Sequence, residues 1–204
     1  MATTLLRTLA DLEAVYGEPV RGSLMKEIDH LSAHYRTFVQ HAPFVLVASA
    51  GPGGLDCSPR GDAPGFVTVA DEKTLLLPDR RGNNRVDTLR NVVADPRVAL
   101  LFLVPGVGET LRVNGTAEID VDPELLASFA IQGKAPRSVL RVHVERVYFQ
   151  CQKALVRSHL WDPGTRIERS QLPSTGEILA ALDREVDAAA YDAAYPERMR
   201  QTIY

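Results

Sequence analysis

The chain has 204 residues, of which 45% are apolar, and its formal net charge is −3. This size and composition predict one domain with a sizeable hydrophobic core. Because the charge balance is close to neutral, the composition gives no support for a nucleic-acid or membrane partner, and we expect neither.

The sequence carries no pattern typical of export or of disulfide chemistry. Arg7, Asp11 and Glu13 interrupt the apolar residues of the N-terminus, so that region does not resemble a signal peptide. Cys57 and Cys151 lie far apart and lack metal-ligand spacing, which favours two reduced thiols over a disulfide. These features predict a cytoplasmic protein.

The N-terminal part of the chain predicts two helices. They cover residues 5–16 and 26–41. We assign residues 1–25 to an N-terminal helical extension. His30, His34 and His41 lie on or near the second helix, with spacings of four and seven residues. Because no acidic residue completes a histidine zinc motif there, we favour a polar helix face over a metal site.

Short apolar runs bounded by glycine and proline predict a β-rich domain. The strands are expected at residues 44–49, 55–60, 66–69, 74–77, 98–103, 111–119 and 140–151. Pro59 confines its segment to an edge or a bulge, because proline lacks an N–H group. Asn114-Gly115 predicts a bend or bulge. At least six short strands with few helices between them predict a closed antiparallel barrel with peripheral helices.

The loop that follows the strand at residues 74–77 carries the clearest chemical signal. Pro78 ends that strand, and the next helix is expected to begin after Asn84 as its N-cap, with Asp87 as the capping-box acid. A helix start offers unpaired N–H groups and a positive dipole end.

Three arginines crowd this helix start, although cations are disfavoured there. They are Arg80, Arg81 and Arg85. Gly82 allows the backbone to approach a ligand. A bound phosphate would relieve the crowding and use the free donors. The alternative is a solvated loop whose arginines face water, and the spacing alone leaves both interpretations open.

The C-terminal third predicts helices around one last strand. Asp122 caps a helix to about residue 132, and residues 176–194 predict a long helix followed by a tail at 196–204. We assign residues 166–204 to a C-terminal helical extension. His143 lies on the polar face of its strand, so we expect it to be exposed.

Several long strings resemble a known family. They are SPRGD at residues 58–62, PDRRGNNR at 78–85, ETLRVNG at 109–115, KALVRSHLW at 153–161 and RSHLWDP at 157–163. Together they resemble the pyridoxamine 5′-phosphate oxidase-like, FMN-binding split-barrel superfamily, and within it the uncharacterised pyridoxamine 5′-phosphate oxidase-related branch. The resemblance implies a six-stranded split barrel, here residues 26–165, and a homodimer with FMN at the subunit interface.

The resemblance also implies a role for individual residues. The implied flavin contacts are Ser58, Arg60, Pro78, Asp79, Arg80, Asn83, Asn84, Arg85, Lys153, Arg157 and Trp161. The strand at 58–61 would run beside the isoalloxazine and ribityl chain, with Arg60 near the phosphate. Residues 78–80 would supply backbone contacts, and residues 83–85 would hold the phosphate. Lys153, Arg157 and Trp161 would come from the second subunit, although Trp161 could equally close the end of the barrel.

The implied function is an FMN-dependent oxidoreductase that transfers hydride at flavin N5, with an electron donor or small-molecule substrate that the sequence does not identify. No catalytic side chain and no metal site are predicted. Trp161 is followed by Asp162-Pro163-Gly164, and not by the Arg-x-His clamp of the vitamin-forming oxidase, so we expect a different substrate. The alternative is a non-catalytic flavin- or haem-binding carrier or sensor, which the histidines at 30–41 favour weakly.

Overall fold

Seven strands form one antiparallel sheet in the computed structural model, which describes residues 5–204. The strands are β1 (Phe44–Gly51), β2 (Gly54–Gly61), β3 (Thr68–Val69), β4 (Thr74–Asp79), β5 (Arg97–Leu103), β6 (Thr110–Asp120) and β7 (Ser138–Gln150). The first four residues of the predicted N-terminal extension lie outside the described residues. The fold is therefore mixed α+β, with the β-rich part between residues 44 and 150.

The sheet is not closed, which corrects the prediction of a closed six-stranded barrel. Its strand order is β2-β1-β5-β6-β7-β4-β3, so that β2 and β3 are the two edges. The strand β2 contains Pro59, which lacks an N–H group, and β3 has only two residues. Neither edge therefore offers a full ladder of hydrogen bonds. The position of β2 confirms the edge placement predicted from Pro59.

Burial alternates along β1, β5 and the middle of β7, whereas four consecutive residues of β4 are buried. Val142, Val144 and Val147 of β7 are buried and His143 is exposed, as predicted. The strand β6 carries a bulge at Asn114/Gly115, also as predicted. A Cβ atom at residue 115 would lie 1.9 Å from the carbonyl oxygen of His143, so only glycine fits there.

Eight α-helices surround the sheet in the described part of the chain. They are α1 (Leu9–Tyr16), α2 (Arg21–Leu24), α3 (Ala33–His41), α4 (Asp87–Ala94), α5 (Pro123–Ser128), α6 (Lys153–Ser158), α7 (Thr175–Leu182) and α8 (Ala188–Thr202). Short 3-10 turns cover Pro163–Thr165 and Arg169–Gln171. None of the helices within residues 5–204 combines the length and the apolar character needed to cross a membrane.

Several predicted helices differ from the observed ones, and the one expected at residues 5–16 begins only at Leu9. The helix expected at residues 26–41 begins only at Ala33, because Ile28 forms a β-bridge with Val147 and Ser32 caps the helix. The helix after Asp122 ends at Ser128, four residues earlier than expected.

The single helix predicted at 176–194 is two helices in the structure. Asp183 ends α7, and the side chain of Asp187 accepts a hydrogen bond from Ala190 N and so starts α8. The helix then continues through Pro196 to Thr202, where the sequence predicted a tail. The amide N–H of Gly176 donates to Asp192 Oδ1 at 2.8 Å and joins the two helices.

Candidate functional site

A cavity of about 1080 Å³ lies where β2 and β4 end and α4 begins. Eight of the predicted site residues line it: Ser58, Arg60, Pro78, Asp79, Arg80, Asn83, Asn84 and Arg85. The strands β2 and β4 are not neighbours in the sheet, yet Arg60 Nη2 lies 3.6 Å from Asp79 Oδ1. The curvature of the sheet thus brings two distant parts of the sequence to one site.

A network of hydroxyl groups around buried Thr88 fixes the β2 side of the cavity. Thr88, in the first turn of α4, is 1% exposed, and its Oγ1 donates to Asp56 Oδ2 at 2.8 Å. Ser58 Oγ donates to the same carboxylate oxygen at 2.9 Å. Arg60 Nη2 approaches Thr88 Oγ1 at 3.5 Å. The start of α4 is therefore tied to the strand that supplies Ser58 and Arg60.

Asp79 lies at the end of β4, between two arginines. Burial raises the pKa of its carboxyl group, and the charges of Arg60 and Arg137 oppose that rise. The carboxylate of Asp79 thus compensates part of the positive charge on this side of the cavity.

Arg80 is held by the protein itself. Its Nε donates to Asp62 Oδ2 at 2.9 Å, and its Nη1 donates to the carbonyl oxygen of Phe129 at 2.6 Å. The carboxylate of Asp62 is only 2% exposed and also accepts from the Tyr204 hydroxyl at 2.8 Å. Burial opposes its ionisation, but the hydrogen bonds from Tyr204, Ala63 and Arg80 outweigh burial and lower its pKa.

The loop before α4 has an unusual backbone. Asn84 and Val86 have φ angles of 62° and 53°, in the left-handed region. For a β-branched residue such as Val86 this conformation is a genuine outlier, and such outliers cluster at functional sites. Val86 is the N-cap of α4 and provides no side-chain hydrogen bond, so the first N–H groups of the helix lack a side-chain cap.

Asn84 is not the N-cap, which corrects the sequence prediction. Its Oδ1 accepts a hydrogen bond from Arg137 Nη1 at 3.0 Å, and its left-handed backbone places it before the helix. Asn83 instead turns the loop, because its Oδ1 accepts from the backbone N–H of Arg85 at 3.1 Å. Asp87 is the first residue of α4, and its Oδ2 pairs with Arg85 Nε at 2.8 Å.

Positive charge exceeds negative charge around the cavity. Its lining includes the six arginines Arg60, Arg80, Arg81, Arg85, Arg137 and Arg198 and the three aspartates Asp62, Asp79 and Asp87. Each aspartate lies within 4.0 Å of one arginine. Within the described part of the chain, the other three arginines form no ion pair at that distance. This excess fits an anionic ligand.

One orphaned polar atom also supports a ligand at this site. Ser138 lines the cavity, is 5% exposed, and pairs with Asp79 across β4 and β7. Its Oγ is buried without a hydrogen-bond partner among residues 5–204. Buried polar groups are normally paired, and an unpaired one calls for an explanation such as a missing ligand. A polar ligand such as a phosphorylated cofactor would fit these surroundings.

Three predicted site residues do not line the cavity of their own chain. Lys153 and Arg157 are exposed on α6, and Trp161 Nε1 donates to the carbonyl oxygen of Val107 at 2.8 Å. The indole therefore packs against the turn between β5 and β6. Their predicted contribution from a second subunit stays a prediction.

The histidines singled out in the sequence also lie away from the cavity. His30 precedes α3, and His34 and His41 lie within that helix. None of the three belongs to the cavity lining. In the described residues, no group of three or more histidine, cysteine, aspartate or glutamate side chains is placed to hold a metal ion.

Sequence reasoning missed one whole side of the cavity. That side consists of Tyr195, Arg198, Met199, Thr202, Ile203 and Tyr204. No spacing rule could identify it, because 142 residues separate Tyr204 from Asp62. Arg137 and Ser138 were also missed, although the pairing of β4 with β7 would have placed Ser138 beside Asp79.

Comparison with known proteins identifies the family. A family profile described as pyridoxamine 5′-phosphate oxidase matches residues 31–151, which is more than half of the chain. The chain belongs to the pyridoxamine 5′-phosphate oxidase family. The match includes every strand of the sheet but ends before α6, α7 and α8. Comparison with the curated proteins gives no match.

Several solved structures resemble the chain. HupZ from Group A Streptococcus is 18% identical, with a TM-score of 0.47, and the alignment covers 57% of this chain and 90% of that one. A FAD-binding protein from Mesorhizobium loti is 21% identical, with a TM-score of 0.42 and coverage of 59% and 94%. General Stress Protein 26 from Bacillus anthracis is 14% identical, with a TM-score of 0.43 and coverage of 55% and 88%.

Proposed function

We propose that the protein is an FMN-dependent oxidoreductase. The observation that carries this proposal is the cavity at the start of α4, where positive charge exceeds negative charge and helix N–H groups lack a side-chain cap. A phosphate monoester is the ligand chemistry that suits such a helix start. Membership of the pyridoxamine 5′-phosphate oxidase family supports a flavin as the phosphorylated ligand.

The residues present suit FMN in the following way. Asn83, Asn84 and Arg85 would hold the phosphate at the start of α4, and Ser58 and Arg60 would lie beside the ribityl chain. The bound flavin supplies hydride transfer at N5, and the protein binds and orients it. Arg60 and Arg80 are held by carboxylates and other protein groups, so they are positioned before a ligand arrives.

We further propose that the working unit is a homodimer in which Lys153, Arg157 and Trp161 of one subunit complete the site of the other. Support comes from the exposure of Lys153 and Arg157 on α6, where a second chain could reach them. In this proposal the flavin-binding domain, which contains the open sheet, spans residues 26–165, between helical extensions at 1–25 and 166–204. A cytoplasmic location belongs to the same proposal, since Cys57 and Cys151 are both free and exposed.

The substrate is proposed to differ from pyridoxamine 5′-phosphate. The side chain of Asp162 accepts from Gly164 N at 2.8 Å and forms a tight turn directly after Trp161. In the sequence, Trp161 is thus followed by this turn and not by an Arg-x-His substrate clamp. No side chain is assigned as general acid or base, because each carboxylate in the cavity lining already lies beside an arginine.

An absorbance spectrum of the purified protein tests the cofactor. We expect flavin bands, and release by denaturation should yield FMN that mass spectrometry identifies. Bleaching of these bands by a reduced nicotinamide cofactor would support an enzyme. A colourless protein that does not bind added FMN would contradict the proposal.

A non-catalytic flavin carrier is the second candidate. The observation that favours it is the lining itself, which within the described chain includes no histidine, lysine, cysteine or glutamate. Flavin that no physiological donor reduces would support this candidate. The structure gives no support for a haem carrier, since His30, His34 and His41 lie outside the lining of the cavity. A Soret band in the absorbance spectrum would be evidence for haem binding.

A further inference from the structure

We propose that residues 195–204 form a wall that limits which molecules reach the ligand in the cavity, and that Tyr204 is the positioning residue that holds this wall in place. The identity of that ligand as FMN rests on the proposed function. The wall itself follows from the contacts of α8 and of Tyr204.

The wall is separate from the part of the chain shared with the family. Its cavity-lining residues are Tyr195, Arg198, Met199, Thr202, Ile203 and Tyr204, and all lie beyond the matched residues 31–151. The opposite side of the cavity, formed by β2, β4 and the start of α4, lies wholly within the match. The shared part can therefore hold the cofactor, while this chain's own C-terminal helix governs what else enters.

Three side chains form a clamp, here called the Tyr204 clamp: Asp62, Arg80 and Tyr204. The Tyr204 hydroxyl donates to Asp62 Oδ1 at 2.8 Å, and Arg80 Nε donates to Asp62 Oδ2 at 2.9 Å. The guanidinium carbon of Arg80 lies 5.9 Å from the centre of the Tyr204 ring. Lys134 Nζ adds a hydrogen bond of 3.0 Å to the main-chain oxygen of Tyr204.

The Tyr204 clamp is needed to hold the wall in place because few other contacts join the wall to the rest of the protein. Within α8 no residue is buried, so the helix contributes nothing to the hydrophobic core. Its first half is tied to α7 through Gly176 and Asp192. Its last turn depends on polar contacts that converge on Tyr204. Loss of one hydroxyl should therefore loosen residues 195–204 and leave the sheet intact.

The size of the cavity explains why the wall would select ligands. With the wall in place the cavity has about 1080 Å³, close to the upper end for a single small-molecule site. The space beside a bound flavin would be the room for a second molecule. Met199, Ile203 and the Tyr204 ring line that room together with Arg198.

The test compares FMN-loaded wild-type protein with Tyr204→Phe, which removes the hydroxyl and keeps the ring. Tyr195→Phe is the matched control, because Tyr195 belongs to the same wall and lines the same cavity from α8, and its hydroxyl has no hydrogen-bond partner among residues 5–204. We measure amide hydrogen exchange of residues 197–204, quenching of flavin fluorescence by acrylamide, and the FMN dissociation constant.

In Tyr204→Phe we expect exchange of these amides to be about tenfold faster, because a hydrogen bond to a carboxylate is lost. Acrylamide quenching should rise, with FMN affinity and exchange of the sheet unchanged, and Tyr195→Phe should match wild type. Unchanged exchange and quenching in Tyr204→Phe would overturn the proposal. So would a large loss of FMN affinity, since it would place Tyr204 in the cofactor contacts.

Failure of the proposed function would look different. Wild-type protein would then bind no FMN at all. In that case the same exchange comparison on ligand-free protein decides the clamp, and exchange of the cavity-lining amides 83–86 replaces the quenching measurement. If the amides of residues 197–204 and of residues 83–86 exchange at the same rates in Tyr204→Phe as in wild type, the proposed wall is contradicted independently of any flavin.

Discussion

The two sides of the cavity are built in opposite ways. One side stands on β4, whose Leu75 and Leu77 are fully buried in the core, and on a start of α4 tied down by buried Thr88. The other side stands on α8, which has no buried residue and is held by hydrogen bonds. The comparison indicates that the sheet side is rigidly supported, whereas the helix side can change at small cost to the fold.

Charge follows the same division. Five of the six arginines in the lining belong to the sheet side, where three of them pair with aspartates. Arg198 is the one lining arginine that α8 contributes, and its guanidinium carbon lies 4.4 Å from the ring centre of Tyr191. A phosphate would therefore be bound by the sheet side, and aromatic or apolar contacts would come from the helix side.

Phe102→Ala should lower the free energy of unfolding more than any other change, because it removes a core side chain that supports the sheet side. Phe102 is fully buried in β5, and its truncation should lower the free energy of unfolding by about 3–5 kcal/mol. Urea unfolding measures this loss. The matched change on the other side is Ile203→Ala, at a residue 56% exposed, which should alter stability by no more than about 0.5 kcal/mol. Similar losses in the two variants would remove the distinction between the two sides.

Arg85→Ala should weaken FMN binding roughly tenfold without unfolding the protein, since it removes a charged donor at the phosphate position. The side chain of Arg85 is 76% exposed and pairs with Asp87, and such surface pairs contribute little to stability. Fluorescence titration measures the affinity. Arg90→Ala, on the exposed face of α4, is the control that should bind FMN normally. Unchanged affinity in Arg85→Ala would remove Arg85 from the phosphate site.

Asp62 should make stability depend on acidic pH. Its folded-state pKa lies below the ordinary value of 3.8, so its ionised form stabilises the protein above that value. This contribution disappears as the pH falls through the folded-state pKa. Between about pH 5 and pH 2, the urea midpoint of wild type should therefore fall more steeply than that of Asp62→Asn. Parallel curves would show that the Tyr204 clamp does not depend on this charge.

Lys153→Ala should give the smallest effect, a decrease in FMN affinity well below that of Arg85→Ala. A flexible ammonium makes a single point contact and cannot form the bidentate contacts of a guanidinium. Titration above and below the concentration at which the proposed dimer would dissociate would show whether Lys153 acts across subunits. A loss larger than that of Arg85→Ala would move the main phosphate contact to α6.

The sequence predicted the sheet side of the cavity well. Turn residues and apolar runs located the strands, and the string at residues 78–85 identified the loop that enters the cavity. These features are local, so short-range patterns suffice to find them. The predicted start of α4 was wrong, because the side chain of Asn84 accepts a hydrogen bond from Arg137, more than 50 residues away, and does not cap the helix.

The helix side was not predictable from local pattern. The break between α7 and α8 depends on Asp187 as a cap within a stretch whose apolar spacing continues, and Pro196 suggested an end where the helix goes on. The contact of Tyr204 with Asp62 joins distant parts of the chain. Closure of the sheet failed as a prediction for the same reason, since strand pairing is a long-range property.

The left-handed backbone of Val86 lowers the stability of the protein but restricts the conformations of the loop before α4. Glycine at this position would adopt the same φ angle of 53° without steric strain, although it would also give the unfolded chain more conformational entropy to lose on folding. The same substitution would let the segment before α4 sample other shapes. Valine at this position costs about 1–3 kcal/mol of backbone strain, and it restricts the loop that leads into the uncapped start of α4.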